Sequence, residues 1–497
     1  KAGHFMNSLS SVFTNIPFLI LCIYILLLFG ISIYAKKRSE GSSTNFLLAG
    51  RKLGTFLVTV SVAGLAIGAA STVGVAESAY KMGISAGWYN GAWAAGALVM
   101  GLVGAAKYRK LGVSTLPELF ERHFGRESRL ISAIALLIVL MMIASLQYIA
   151  GGAILSTMLP DIFTFRDGMF ISAAVFIAIS LIGGLWSSGL SNIVSVALIY
   201  FGVIAATIVT VSGVGGFSGL AAKLPVGQPW FSLKGTFPIA TLIGWFVVMI
   251  TQALTAQGTV QIACSAKDEK SARNGYIGAA IVIFPIGFLC AIMGMVARVQ
   301  FPDVAPTLAL PHVIMSLPPL LAGIILSALW AADVSTACTI LMGSSTLFTQ
   351  DIYKRFIDPQ ASEKKTFQIS RLSVLLIGLF TLYLAFQAEE IVKTMMIGLS
   401  LTTAFTLVFL MLLFKPQWCR KGTAFWTNLV GIIGLIAWQL VPAVPTFFKA
   451  YLPFFTHPIY LEWFICGITF FLVAVLDKRP ILAPERLKED HSSEAKA

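Results

Sequence analysis

Residues 60–80 read VSVAGLAIGAASTVGVAESAY. The stretch is apolar enough for a membrane core, yet it holds Gly64, Gly68 and Gly74, several hydroxyls and one carboxylate, Glu77. In lipid an unpaired backbone group is costly, so a helix unwinds only where protein covers it or where it lines a water-filled cavity. Glycine and hydroxyl interruptions therefore mark a broken helix. A second interruption, TQALTAQGT at 251–259, lies five spans further on. Two broken helices at corresponding places in two halves point to an inverted repeat with a binding site near the membrane midplane. Small residues also let membrane helices pack closely, and the glycines alone fit that reading equally well. Ser71, Glu77, Gln252 and Gln257 add the polar chemistry that favours a site.

The rest of the 497-residue chain supports a membrane setting: 57% of it is hydrophobic and 11% charged, where a soluble domain carries about a quarter. Its apolar residues come in blocks of about 20, the length that crosses a hydrocarbon core. Reading these blocks against their punctuation gives about thirteen spans: 16–34, 53–80, 86–106, 130–158, 170–186, 193–211, 239–260, 276–299, 320–351, 372–386, 391–414, 424–440 and 460–475. The fifth and sixth are expected to be joined by a short link that includes Ser187, Ser188, Gly189 and Leu190. The expected organisation is an outer extracytoplasmic segment 1–15 (1–5 reading as a tag scar), an outer helix 16–34, a first five-helix repeat 53–211, a second 239–414, two outer helices 424–475 and a cytoplasmic tail 476–497.

The net charge of +13 invites a nucleic-acid reading, but its placement favours topology. With the amino terminus outside, most of the 35 Lys and Arg fall in cytoplasmic segments, among them Lys36, Lys37, Arg38, Arg109, Lys354, Arg355 and Arg479. This follows the positive-inside rule and places the carboxyl terminus in the cytoplasm, in a plasma or inner membrane. The first span is expected to be retained, because its basic cluster follows the apolar run and no small-x-small cleavage site separates them. Six scattered cysteines without CxxC pairs and five dispersed histidines show no metal or disulfide framework.

The ninth span carries the other polar run, AADVSTACT at 331–339. Helical spacing puts Ala332, Ser335, Thr336 and Thr339 on one face. Hydroxyls joined by carbonyls freed at a broken helix supply the hard, neutral oxygens that a small cation such as sodium prefers. Any one of these hydroxyls can instead bond back to the preceding turn. Asp333 is an ionisable group inside a membrane helix, which is a functional hypothesis by default. Its charge would strengthen a neighbouring cation site or its carboxylate would take up a proton; the bland alternative is a structural pair with a buried donor.

At these residues the chain resembles the sodium/solute symporter family, which includes sodium-coupled sugar, proline, pantothenate and sialic acid transporters. The landmarks are FLLAGRKLG at 46–54, Gly74, YKMG at 80–83, TLPELFERHFG at 115–125, GGLW at 183–186 and STLFTQDIY at 345–353. The resemblance implies an all-α LeuT-like fold, a five-plus-five inverted repeat with extra outer helices. It implies a sodium site on the carbonyls of Gly64, Ile67 and Ala332 and the hydroxyls of Ser335 and Thr336, with Asp333 as a candidate addition. Solute positions would fall on Ser71, Thr72, Glu77, Asn90 and Gln257. Members with a second sodium site use an aspartate where this chain has Asn192, with Cys338 and Thr339 at the supporting hydroxyls, so one sodium per solute is expected.

The resulting expectation is secondary active transport: sodium, the coupling ion, drives symport of a small polar organic solute by alternating access, with the bilayer and the solute as partners and one chain as the working unit. A proton-coupled symporter of the same fold and a transporter-like sensor or channel are the alternatives. A channel would need symmetry-related filter segments. No phosphate loop, zinc motif or nucleophile elbow suggests an enzyme.

Overall fold

The structure, a computed structural model, describes residues 14–39, 42–236, 238–387, 398–452 and 457–482. The described chain is almost entirely helical, and its helices meet in one continuous apolar core. In chain order they are α1 Ile16–Ser39, α2 Ser43–Leu48, α3 Thr55–Ala66, α4 Val75–Met82, α5 Trp88–Val99, α6 Ala105–Leu111, α7 Leu116–Phe124, α8 Arg126–Met158, α9 Phe165–Gly213 and α10 Gly216–Lys223. They continue as α11 Ile239–Thr255, α12 Gln257–Ser265, α13 Glu269–Gln300, α14 Ala309–Met315, α15 Pro319–Thr346, α16 Glu363–Ala385, α17 Thr402–Phe414, α18 Thr423–Leu440, α19 Ala443–Tyr451 and α20 Pro458–Leu476.

Among the described residues, eight helices are long and apolar enough to cross a membrane, or ten spans when the bent pairs α3–α4 (57°) and α11–α12 (46°) count as one each. Of the other spans expected from sequence, two fall in α9, which turns at Gly184, and α5–α6 and α17 lie where two more were expected. The beginning of the span expected at 391–414, like residues 1–13 and most of the tail, lies outside the described residues. One expectation is corrected. Residues Ser187 to Leu190 are helical, and the turn between the fifth and sixth spans falls earlier, at Gly184 with φ 56° and ψ −151°. A side chain there would strike Phe46, whose carbonyl oxygen lies 2.7 Å from where a Cβ would stand. Only glycine meets both demands.

α15 sits at the centre. Its most apolar stretch is 94% buried, against 28% for the peripheral α1, and it packs on α9, α8, α1, α16 and α3. The bent α3–α4 segment is held from the other side by α13, where glycines permit close approach: a Cβ on Gly275 would come within 2.4 Å of the Val58 side chain and one on Gly294 within 2.4 Å of the Ala76 carbonyl oxygen. Lipid offers no hydrophobic drive for helices to associate, so this close packing is what holds them.

Candidate cation and solute site

α3 leaves its helical course at Ile67 (φ −91°, ψ 70°), and regular winding resumes in a π turn at Ala70–Gly74. The backbone groups freed at this break find defined partners. The Ala69 N–H donates to Gln147 Oε1 on α8 at 2.9 Å. The Gly68 carbonyl accepts from the N–H groups of Ser71 and Thr72 and from Thr72 Oγ1, and Ser71 Oγ donates to the Ala66 carbonyl. Gly68 is clasped between two helices: a Cβ there would lie 2.5 Å from Thr336 Oγ1 and 2.6 Å from Gln147 Oε1.

Across the break, α15 presents its hydroxyl face. Ser335 Oγ lies 2.9 Å from the carbonyls of both Gly64 and Ala332. Thr336 Oγ1 lies 2.8 Å from the Gly64 carbonyl and 3.2 Å from that of Leu65. Both side chains are buried. Five neutral oxygens thus converge between two helices. In the absence of a cation the hydroxyl protons satisfy the carbonyls; a cation would take the same lone pairs while each hydroxyl turned its proton aside. This donor set fits a small monovalent ion, and it includes Gly64, Ala332, Ser335 and Thr336 of the expected ligands. Ile67 is the residue at which the chain turns out of the helix, which frees its carbonyl from the α3 ladder.

Asn192 packs directly against Gly64, whose Cβ would lie 2.5 Å from the Asn192 side chain. Neither polar atom of that amide has a hydrogen-bond partner among the described residues. Of its neighbours on the expected second site, Thr339 Oγ1 bonds to the Ser335 carbonyl and to Ser188 Oγ. Cys338 Sγ points to the Phe176 carbonyl. Asp333 is fully buried, and neither carboxylate oxygen has a partner among the described residues.

The expected solute residues are distributed over four regions. Ser71 and Thr72 lie at the break. Asn90, on α5, faces α13 and donates to the Ile283 carbonyl at 3.3 Å. Glu77, on α4, accepts from Thr307 Oγ1 at 3.1 Å, in the segment that precedes α14. Gln257 opens α12 and donates to the Ser114 carbonyl at 3.2 Å, next to the basic loops. A further glutamine, Gln261, bridges the Leu47 carbonyl and Thr346 Oγ1. Sequence reasoning missed Gln147 and Gln261. The first could have been found as the one amide side chain in the apolar span 130–158, since polar groups at membrane depth are seldom idle.

The chain as a whole is similar to known proteins. The Sodium:solute symporter family profile matches residues 46–431. A sodium/proline symporter of Haemophilus influenzae is 28% identical over 444 residues, 82% of this chain and 85% of its own length. A sodium/glucose cotransporter of Vibrio parahaemolyticus is 26% identical over 406 residues, 74% of each chain. Among solved structures, the substrate-bound outward-open state of a Na+-coupled sialic acid symporter superposes with a TM-score of 0.78 at 20% identity, covering 94% of this chain and 98% of that one; this likeness establishes the LeuT-like architecture.

Proposed function

This chain belongs to the sodium:solute symporter family, and on that premise we propose that its coupling ion sits on Gly64, Ile67, Ala332, Ser335 and Thr336. It is a sodium-coupled symporter of a small solute, a multi-pass membrane transporter and not an enzyme. The observation that carries the site is the pair of hydroxyls, Ser335 and Thr336, directed at one carbonyl of a broken helix. A sodium ion there ties α3 to α15 and favours the arrangement in which the two are close. Its loss weakens that arrangement, and a ligand shifts a conformational equilibrium by the difference of its affinities for the two states. Ser71 and Thr72 face the solute from the break, with Glu77 and Asn90 toward the outer half and Gln257 toward the inner.

The amino terminus is outside and the carboxyl terminus in the cytoplasm of the cell's plasma or inner membrane. In support, the basic loops gather on one face: Arg51 reaches the Gly112 carbonyl, Arg109 the Ala266 carbonyl and Arg126 the Arg355 carbonyl. A single chain provides all the proposed ligands, so the working unit is the monomer. The neutral Asn192 supplies no charge for a second ion, so one sodium accompanies each solute. Solute uptake into proteoliposomes with and without a sodium gradient tests the coupling: uptake indifferent to sodium would refute it. The reversal potential of that uptake tests the ratio, and a value that requires two sodium ions would refute the single site.

A further inference from the structure

On the basic face, the segment that follows α20 doubles back across two neighbours. The Lys421 N–H donates to the Arg479 carbonyl at 3.1 Å, the Gly422 N–H to Asp477 Oδ2 at 2.9 Å, and the Leu482 N–H to the His123 carbonyl at 2.9 Å. Residues 477–482 thereby join the start of α18 to the end of α7, just before the turn into α8. Where the three parts meet lies a cavity of about 450 Å³, lined by Arg126, Lys421 and Arg479, by Glu127, and by the rings of Phe425 and Trp426.

The charges of this cavity do not cancel. Arg479 is matched by Asp477, through contacts of 2.8 and 3.0 Å. Arg126 rests on neutral groups, the Phe356 ring at 4.7 Å from its centroid and the Arg355 carbonyl. Lys421 lays its carbon stem over the α7–α8 turn, where a Cβ on Gly125 would stand 3.7 Å from Lys421 Cε. Its ammonium pairs with none of the described residues. Three cations against the two carboxylates Glu127 and Asp477 leave one positive charge unanswered. A phosphodiester, with one negative charge and several acceptor oxygens, answers it, and hydrogen bonds between ionised partners are the strong ones.

The surroundings say which phosphodiester. Trp426 is 47% exposed, and Ile433, Ile436 and Leu440 continue its stripe along α18 away from the basic face, each more than half exposed. Tryptophan rings sit at the headgroup level of a membrane, so the apolar stripe beyond Trp426 runs at the depth of acyl chains. A free phosphate ion would use the cations and leave that stripe unused, whereas a lipid uses both. A zwitterionic lipid would bring a second cation to a place already in positive excess. We propose that this cavity binds the headgroup phosphodiester of an anionic phospholipid, with an acyl chain along the Trp426–Leu440 stripe of α18.

The test uses the purified full chain in a neutral detergent. Its thermal unfolding midpoint is followed as phosphatidylglycerol, phosphatidylcholine or inorganic phosphate is added. Phosphatidylglycerol should raise the midpoint, and the other two should not. In the double variant Arg126→Gln/Lys421→Gln the half-saturating concentration of phosphatidylglycerol should rise on the order of tenfold or more, because each basic residue near a membrane surface adds to the attraction for anionic lipid. Lys36→Gln/Lys37→Gln removes two exposed charges that do not line the cavity and should leave that concentration unchanged. An equal loss in both pairs assigns the effect to general surface charge and overturns the proposal. An equal response to inorganic phosphate overturns the lipid assignment, and an equal response to phosphatidylcholine overturns the requirement for net negative charge. If the double variant does not accumulate, Lys421→Gln alone, at an exposed side chain, takes its place and should raise half-saturation roughly fivefold; no change there also overturns the proposal.

Discussion

The two bent helices, α3–α4 and α11–α12, bend by 57° and 46° but dispose of their freed carbonyls differently. At the α11–α12 bend the departure is confined to Ala256, and hydroxyls fill the carbonyls around it: Thr406 on Thr251, Tyr108 on Leu254, Thr259 on Ala256 and Tyr276 on Thr259. Thr251 and Thr255 also pair with Thr402 and Thr406 of α17, so this bend is sealed into its neighbours. At the α3 break two hydroxyls of one neighbouring helix converge on a single carbonyl, Gly64, and the adjoining Asn192 amide and Asp333 carboxylate are left without partners among the described residues. The α11–α12 bend is closed by its neighbours, whereas the α3 break keeps the lone pairs that the proposed cation site would use.

That contrast can be broken by experiment. The largest effect is expected from Thr336→Val, which keeps the shape and removes one oxygen ligand. Hydrogen bonds and related contacts to charged groups are worth about 1.5–3 kcal/mol, so the sodium concentration for half-maximal uptake should rise by roughly one to two powers of ten. Ser335→Ala should act in the same direction. An unchanged sodium requirement in both would remove the site from this break.

Next in size is Gly68→Ala. Its new methyl would stand 2.5 Å from Thr336 Oγ1 and 2.6 Å from Gln147 Oε1, and overpacking of this kind costs about 1–3 kcal/mol. Both the unfolding midpoint and the sodium affinity should fall, because the clash pushes a ligand. A comparable loss is expected from Gln147→Leu, which leaves the buried Ala69 N–H unpaired at about 1–3 kcal/mol; Gln147→Glu, which keeps an acceptor, should recover most of the midpoint.

The smallest effect belongs to the sealed bend. Tyr276→Phe removes one neutral hydrogen bond, worth about 0.5–1.5 kcal/mol, and should lower the unfolding midpoint slightly without moving the sodium requirement. If Tyr276→Phe or Thr406→Val shifted sodium activation as far as Thr336→Val does, the two breaks would share one role and the distinction would fail.

Much of this was legible beforehand. The glycine and hydroxyl runs at 60–80 and 251–259 announced both bends, and the hydroxyl face of 331–339 announced the side chains that meet the first. The turn at Gly184 was placed a few residues too late, because Ser187 to Leu190 looked like a polar link while the deciding fact was the approach of Phe46. Glu77, Asn90 and Gln257 were grouped as solute contacts by position along the chain. In the structure each is claimed by a different segment: Thr307, Ile283 and Ser114.

By itself, then, the sequence determined the membrane class, the position of the two breaks and the oxygen chemistry of α15, since hydropathy, glycine spacing and side-chain type are properties of short stretches. Which groups close each break was decided only by tertiary structure. Ser335 meets Gly64 across 271 residues of chain and Gln147 meets Ala69 across 78. Such pairings depend on the rotation and depth of whole helices, set by how α8, α9, α13 and α15 pack together, and no local pattern encodes them.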